Sequence, residues 1–179
     1  MFASDVHGSA YYCRKMLEAY DKEKAERLVL LGDLLYHGPR NDLPKEYAPK
    51  EVIKIRLLNE RKNQIYAVRG NCEAEVDQMV LDFPVMADYC ILAIEGKTMY
   101  ATHGHIYNKD NLPPMMDGDI LIHGHTHVLK AENMGDYILL NPGSVSIPKE
   151  GNPPTYAILE NGIFTIKDFE GNTVREITL

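Results

Sequence analysis

An α/β fold of one domain with two β-sheets is predicted by three features of the sequence. Short apolar runs alternate with helical patterns through the first two thirds of the chain. The runs at 28–31 and 65–68 are apolar throughout, as strands covered on both faces require. The final third is instead dense in short strand-like runs, separated by turn signals such as Asn161-Gly162 and Gly171-Asn172. Strand, helix, strand, helix, strand is the pattern of a parallel sheet. The final third reads as antiparallel.

The elements follow in order. Residues 1–4 read as the end of a buried strand, so short that a few further residues are expected before Met1 in the natural protein. Ser9 suits an N-cap for a helix running to about Lys24. Tyr12, Cys13, Met16, Leu17 and Tyr20 give that helix an apolar stripe at three- and four-residue spacing. A loop rich in Gly, Pro and Asn spans 38–49. Pro49 suits the first position of the next helix, which carries Val52, Ile53, Leu57 and Leu58. Val76, Met79 and Val80 mark a short helical segment. Runs at 89–94 and 98–102 flank Glu95-Gly96-Lys97 and read as a hairpin. Further strands are expected at 120–122, 137–140, 156–159, 163–166 and 174–178. The run 112–118 reads as a loop, with shaping of a substrate mouth as the less favoured role, and Met79, Met86, Met115 and Met116 read as core or lid packing. No linker or repeat divides residues 1–179, so a single domain is expected.

Composition narrows the function classes. The 179 residues are 45% hydrophobic and 25% charged, which suits a globular domain with a substantial core. No run approaches the roughly 18 apolar residues of a membrane span. The N-terminus has no basic region followed by an apolar core, so no signal peptide is read there. A net charge of −7, with no Lys/Arg-rich stripe, weighs against extended nucleic-acid binding. Cys13, Cys72 and Cys90 are odd in number and form no CxxC pair, against a disulfide framework or a thiolate zinc site. A reducing cytoplasm is the expected compartment.

Chemistry collects where the strands end. The run ending at Ser4 is followed by Asp5-Val6-His7, and the run 28–31 by Gly32-Asp33. The run 65–68 is followed by Arg69-Gly70-Asn71, and the run 98–102 by His103-Gly104-His105. The run 120–122 is followed by His123-Gly124-His125-Thr126-His127. Each of these alone, except the last, reads as an ordinary turn or core residue. Three imidazoles at alternating positions cost desolvation and mutual repulsion unless something binds them. Ligand crevices of open α/β sheets lie at the carboxyl ends of strands.

Asp5, His7, Asp33, Asn71, His103, His125 and His127 are therefore the candidate metal ligands. Carboxylate, imidazole and amide oxygen suit Mn(II), Fe or Zn, with Ni a further option. One catalytic ion uses about three or four protein ligands. Seven candidates point to two ions, with Asp33 as the bridge between them. Two ions form a clamp for displacement at phosphorus and lower the pKa of a bound water, giving a hydroxide nucleophile that bridges them.

The ordered set Asp5-x-His7, Gly32-Asp33-x4-Gly38, Gly70-Asn71-Cys72-Glu73, His103-Gly104-His105 and Gly124-His125-Thr126-His127 resembles the calcineurin-like metallophosphoesterases. The resemblance runs from Asp5 to about Pro148. Within the superfamily the chain looks most like the YfcE-type bacterial phosphodiesterases, through His37-Gly38-Pro39-Arg40-Asn41, Arg69-Gly70-Asn71-Cys72 and Asn141-Pro142-Gly143-Ser144-Val145-Ser146-Ile147-Pro148. It implies two mixed β-sheets packed as a sandwich and flanked by helices. It implies one ion on Asp5, His7, Asp33 and His127 and a second on Asp33, Asn71, His103 and His125, with manganese expected.

Two departures from the family pattern point to a diester substrate. Many members carry a histidine after the metal-binding asparagine, as the acid for the leaving group. Here Cys72 stands there, a poorer general acid near neutral pH. His37 stands where several protein phosphatases of the superfamily have arginine, although Arg40 is near in sequence. His37, Arg40 and Asn71 are the candidates for substrate contact, Cys72 for catalysis, and His105 and His123 for orienting the ligands. The expected function is hydrolysis of a small phosphodiester. The alternatives are a phosphomonoesterase, and a binding scaffold like the trafficking-coat relative that has lost parts of its metal site. A strand-rich C-terminal region offers a face for a homodimer or higher homo-oligomer.

Overall fold

The computed structural model describes residues 1–53, 58–94 and 96–179. Its strands are β1 (Phe2–Ala3), β2 (Leu28–Leu30), β3 (Ile65–Ala67), β4 (Tyr89–Ile94), β5 (Lys97–Thr102), β6 (Ile120–Ile122), β7 (Lys130–Asn133), β8 (Ile138–Asn141), β9 (Thr155–Glu160), β10 (Ile163–Asp168) and β11 (Thr173–Thr178). Helices α1 (Ala10–Glu23), α2 (Pro49–Ile53) and α3 (Glu75–Gln78) and a 3₁₀ helix (Asn59–Gln64) lie between them. A six-stranded sheet has the order β11-β10-β9-β1-β2-β3 and a five-stranded sheet the order β4-β5-β6-β8-β7. Both sheets are mixed, as the family resemblance implies. Among the described residues no helix is long and apolar enough to cross a membrane.

The uniform apolar runs are explained by burial on both faces. Leu28 and Leu30 of β2 pack with Met16, Leu17 and Tyr20 of α1. Val29 and Leu31 point the other way, into the layer between the sheets, with Met99, Ile120, Ile122 and Phe164. Alternating side chains thus feed two apolar layers. Helix α1 starts where expected: the Ser9 hydroxyl accepts the Tyr12 N–H at 3.2 Å. It ends at Lys24, whose φ of 52° cannot continue the helix. Helix α2 begins at Pro49; the expected core position Leu57 lies outside the described residues, as does Glu95 of the hairpin turn.

Three expectations need correction. The final third is not wholly antiparallel, because β5–β6 and β6–β8 pair parallel. The cause is β7, which sequence reading misses: it is an antiparallel edge strand against β8. A reversal inserted between β6 and β8 brings β8 back in the direction of β6. Its sequence, Lys-Ala-Glu-Asn, is polar and has no β-branched residue, as an exposed edge tolerates. Second, the helical segment expected to hold Val76, Met79 and Val80 is shorter: α3 ends at Gln78, and the three side chains are 64%, 82% and 41% exposed. Third, the methionines divide: Met86 and Met115 pack on core clusters, whereas Met116 is 78% exposed. Met115 covers Tyr100, Leu121 and Leu139 on the second sheet, and the Tyr100 hydroxyl donates to the Pro114 carbonyl at 2.7 Å.

Two parallel sets decide where the site lies. In one sheet β1, β2 and β3 run parallel. In the other β5, β6 and β8 do. The turns that follow them meet across the gap between the sheets. The His103 ring Nδ1 reaches the Leu31 carbonyl at 2.6 Å, and the His125 N–H donates to Asp5 Oδ2 at 3.1 Å.

Candidate metal centre

Each strand-end motif turns sharply, and the backbone shows it. Asp5, His7, Asp33, His125 and His127 all have positive φ, at 60°, 49°, 55°, 66° and 61°. That conformation costs a residue with a Cβ on the order of 1 kcal/mol or more. Asp and His tolerate it better than β-branched residues do. It persists because the surroundings hold it. Ser144 and Ser146 hydroxyls donate to the Asp5 carbonyl at 3.0 and 2.9 Å. The Asp5 and His7 N–H groups donate to the Gly32 and Asp33 carbonyls at 3.1 and 2.8 Å.

The side chains converge as two adjoining groups. His7 Nε2 and His127 Nε2 are 3.3 Å apart, and Asp5 Oδ1 lies 3.6 Å from the first and 3.3 Å from the second. On the other side, His103 Nε2 is 3.1 Å from Asn71 Oδ1 and 3.2 Å from His125 Nδ1. Asp33 stands between them: its Oδ2 is 3.7 Å from His7 Nε2 and 3.5 Å from His103 Nε2. Asp5, His7 and His127 can hold one cation, as can Asp5, Asp33 and His103, or His7, Asp33 and Cys72. The structure therefore brings together all seven expected ligand positions.

The donor set fits divalent metal. His7, His103 and His127 each point Nδ1 at a carbonyl, of Tyr36, Leu31 and Ile147, at 2.7, 2.6 and 2.7 Å. A carbonyl only accepts, so Nδ1 carries the proton and the neutral ring keeps a lone pair on Nε2. In these neutral tautomers the Nε2 lone pairs of His7 and His127 face one another at 3.3 Å, and that of His103 faces Asn71 Oδ1 and His125 Nδ1. Asp5 Oδ1 is buried and has no hydrogen-bond partner among the described residues. Facing imidazole nitrogens and an unbonded buried carboxylate oxygen call for a cation or a shared proton between them, and this set of nitrogen and oxygen donors suits a divalent ion.

Titration behaviour reports the same field. Burial opposes a charge on Asp5, yet the His127 and His7 rings beside it hold its carboxyl well below the ordinary range. Burial also opposes a charge on His103, but its bond to Asp33 and the charges of Asp5 and Asp33 outweigh it and raise the ring to about 9, so without an ion Nε2 holds a proton that a bound cation would displace. Burial and then repulsion from His103 push His125 down to about 4. Burial, followed by the negative charge of Asp33, pushes the Cys72 thiol up, so it stays protonated at neutral pH.

The remaining candidates surround the cluster. Cys72 donates its N–H to Asp33 Oδ1 at 2.9 Å. A Cβ on Gly38 would lie 3.4 Å from Cys72 Sγ, which sets the 37–41 loop against Cys72. His37 packs edge-on between Tyr36 and Tyr47, and Arg40 is exposed in that loop. His105 lies 5.3 Å from His103 between ring centroids. His123 Nδ1 is 2.9 Å from the Gly124 carbonyl. A cavity of about 230 Å³ opens beside His125, lined also by His105, Asn108, His123, Thr126 and Leu139. A larger one, about 990 Å³, lies among Met1, Tyr66, Ile91 and Leu159, away from the strand-end ligands.

Sequence reading gave no role to Glu73 or Asn141. Asn141 Nδ2 donates to the Gly124 carbonyl at 2.9 Å and to Thr126 Oγ1 at 3.1 Å, bracing the turn that carries His125. Both lie inside quoted motifs, but Asp33 and Leu34, which bond Glu73, and Gly124 and Thr126, which bond Asn141, are distant in sequence.

The comparisons with known proteins agree with this geometry. The model of the calcineurin-like phosphoesterase superfamily domain matches residues 1–162. The chain belongs to that superfamily. It is 47% identical over 166 residues to phosphodiesterase YfcE of Escherichia coli strain K12, covering 93% of this chain and 89% of that protein. The solved structure of E. coli YfcE, described as a phosphoesterase, matches with a TM-score of 0.96 at 44% identity, covering 99% of this chain and 97% of that one. Vacuolar protein sorting 29 of Cryptosporidium parvum matches with a TM-score of 0.62 at 17% identity over 99% of this chain and 96% of that one, which is likeness of fold alone.

Proposed function

We propose that the chain hydrolyses phosphodiester bonds in a small substrate with two divalent ions. Asp5, His7, Asp33 and His127 would hold one ion, and Asp33, Asn71, His103 and His125 the other. The observation that carries this is Asp33 Oδ2, set 3.7 Å from His7 Nε2 and 3.5 Å from His103 Nε2, between two groups of ring nitrogens. A carboxylate with a donor cluster on either side is the arrangement for a bridge. Divalent ions held there would lower the pKa of a bound water and offset charge on the phosphoryl oxygens. Manganese is the proposed ion, with Zn, Fe and Ni as competitors for the same donors.

The chain's own residues do the rest. The carbonyls of Tyr36, Leu31 and Ile147 fix the tautomers of His7, His103 and His127, so that Nε2 is available to an ion. Asn71 presents Oδ1 beside His103, its Nδ2 donates to Cys72 Sγ at 3.3 Å, and its second amide hydrogen would serve a substrate oxygen. The cavity beside His125 receives one ester arm, and its volume of about 230 Å³ suits a small group. The loop with His37 and Arg40 lies against Cys72 through Gly38 and would offer these side chains to substrate. Cys72 stands where many members of the family carry a histidine acid, and a thiol is the poorer general acid near neutral pH, which favours a diester with a good leaving group over a monoester dianion. The net charge of −7 disfavours an extended nucleic-acid partner. We further propose that residues 1–179 work as one domain in the cytoplasm, where three free cysteines remain reduced.

The test is turnover of a chromogenic phosphodiester with its monoester in parallel, after EDTA treatment and with Mn(II) restored. Mn-dependent diester turnover that exceeds monoester turnover is expected. Diester turnover that survives complete metal removal would overturn the reading, and equal or faster monoester turnover would make the chain a phosphomonoesterase.

A further inference from the structure

Glu73 has no part in the roles above, yet its carboxylate is buried beside them. Oε2 accepts the Asp33 N–H at 2.8 Å and the Gly70 N–H at 2.5 Å, and Oε1 accepts the Leu34 N–H at 2.6 Å. Asp33 and Leu34 belong to the turn after β2, and Gly70 to the turn after β3. Where parallel strands part, their turn N–H groups lose ladder partners, and buried donors must find others. One side chain answers all three here.

The two turns also lock in the reverse direction, since Cys72 N–H donates to Asp33 Oδ1 at 2.9 Å. They touch so closely that a Cβ on Gly70 would lie 2.1 Å from Asp33 Oδ1. Asp33 itself is held at a φ of 55°, a conformation it does not keep without restraint. Among the described residues no Lys, Arg or His forms an ion pair with Glu73, so backbone dipoles alone answer its charge. A buried carboxylate without a cation is costly unless its geometry is used.

We infer that Glu73 is a positioning residue: its carboxylate clamps the turn after β2 to the turn after β3 and so fixes where Asp33 and Asn71 present their oxygens to the ions. The inference rests on the proposed sharing of Asp33 between two ions. Glutamine cannot replace Glu73, because one oxygen becomes an NH₂ that faces an N–H donor. Aspartate is one methylene too short to span both turns.

The experiment measures Mn(II) affinity by the electron paramagnetic resonance signal of free Mn(II), on the full chain, well below each variant's melting temperature. Glu73→Gln is expected to weaken Mn(II) binding roughly 10–100-fold, the usual loss when a residue supporting a metal ligand is altered. At saturating Mn(II) the loss in turnover should fall on kcat more than on KM. Tyr156→Phe is the control. It removes the Tyr156 hydroxyl's 2.8 Å bond to Glu23, away from the ligands, and should lower stability while leaving Mn(II) affinity unchanged. Asp33→Asn is measured alongside and should weaken both ions. If Asp33→Asn weakens Mn(II) binding and folded Glu73→Gln binds as tightly as the parent, the clamp is wrong and the bridge stands. If Asp33→Asn keeps both ions at parental affinity, the bridge is wrong and the clamp loses its purpose. Should Glu73→Gln fail to fold, Glu73→Asp decides by the same readout: parental affinity overturns the proposal, and a tenfold or larger loss supports it.

Discussion

Gly124→Ala adds one methyl group at the seam between the sheets, and the structure leaves no room for it. The new Cβ would lie 1.8 Å from Ser4 Oγ, 2.7 Å from Ser4 Cβ and 2.8 Å from Asp5 Oδ2. The Ser4 hydroxyl can rotate away, but Ser4 Cβ cannot. Restoring an ordinary carbon–carbon contact of about 3.5 Å needs close to 1 Å of backbone movement. Ser4 and Asp5 are both 0% exposed, so that movement has no free direction. Gly124 is also tied on both sides, its N–H to the His103 carbonyl and its carbonyl to Asn141 Nδ2, each at 2.9 Å. Overpacking of this kind costs about 1–3 kcal/mol, which for a domain of this size is a fall of roughly 2–12 °C in melting temperature. The larger effect is on Asp5, because about 1 Å of misplacement at a reacting centre costs on the order of 100-fold in rate. Differential scanning calorimetry gives the first quantity, and kcat/KM on a chromogenic phosphodiester with saturating Mn(II) gives the second. The double variant Ser4→Gly/Gly124→Ala removes the obstructing Cβ and should recover most of the lost activity. Parental activity in Gly124→Ala, or no recovery in the double variant, would refute the steric argument.

Two further predictions follow from groups with different jobs. Cys72→His replaces a thiol that burial and Asp33 keep protonated with an imidazole able to donate at neutral pH, so the ratio of monoester to diester turnover should rise; a variant that binds metal normally with an unchanged ratio removes Cys72 from the account of specificity. Glu23 concerns stability alone: burial opposes its charge, but Lys167 Nζ at 2.9 Å from both oxygens and the Tyr156 hydroxyl at 2.8 Å hold its carboxyl below the ordinary value. Its stabilisation is therefore complete above the unfolded carboxyl value of about 4.3 and fades as pH falls through the lower folded value. Glu23→Gln should melt lower than the parent near neutral pH and show a smaller further loss below about pH 4; melts across pH 3–7 with parallel curves would contradict this.

The residues that the structure gathers into the candidate metal centre were legible because their chemistry is local. Asp5-x-His7, Gly32-Asp33 and His125-x-His127 each join a metal-binding side chain to a strand end within a few residues. The fold class was legible for a similar reason. Runs such as Leu28, Val29, Leu30 alternate between the helix side and the layer between the sheets, so every position must be apolar. The direction of β8 was not legible, because it depends on β7, whose Lys130 and Glu132 pair with each other on an edge and carry no apolar signal. The extent of α3 was not legible either: the helix stops at Gln78, before Met79 and Val80.

The sequence by itself determined which atoms are offered to a cation, and that they come from the ends of strands. The tertiary structure alone decided how those atoms are aimed. The left-handed backbone of Asp5, His7, Asp33, His125 and His127 opposes local preference, and distant groups sustain it. Glu73 reaches Asp33 and Leu34 about 40 residues back in the chain, and Ser144 and Ser146 hold the Asp5 carbonyl from about 140 residues ahead. Local chemistry names a ligand through its side chain. Orientation is set by hydrogen bonds that exist only once the two sheets have closed on one another, and no short window of sequence contains both partners.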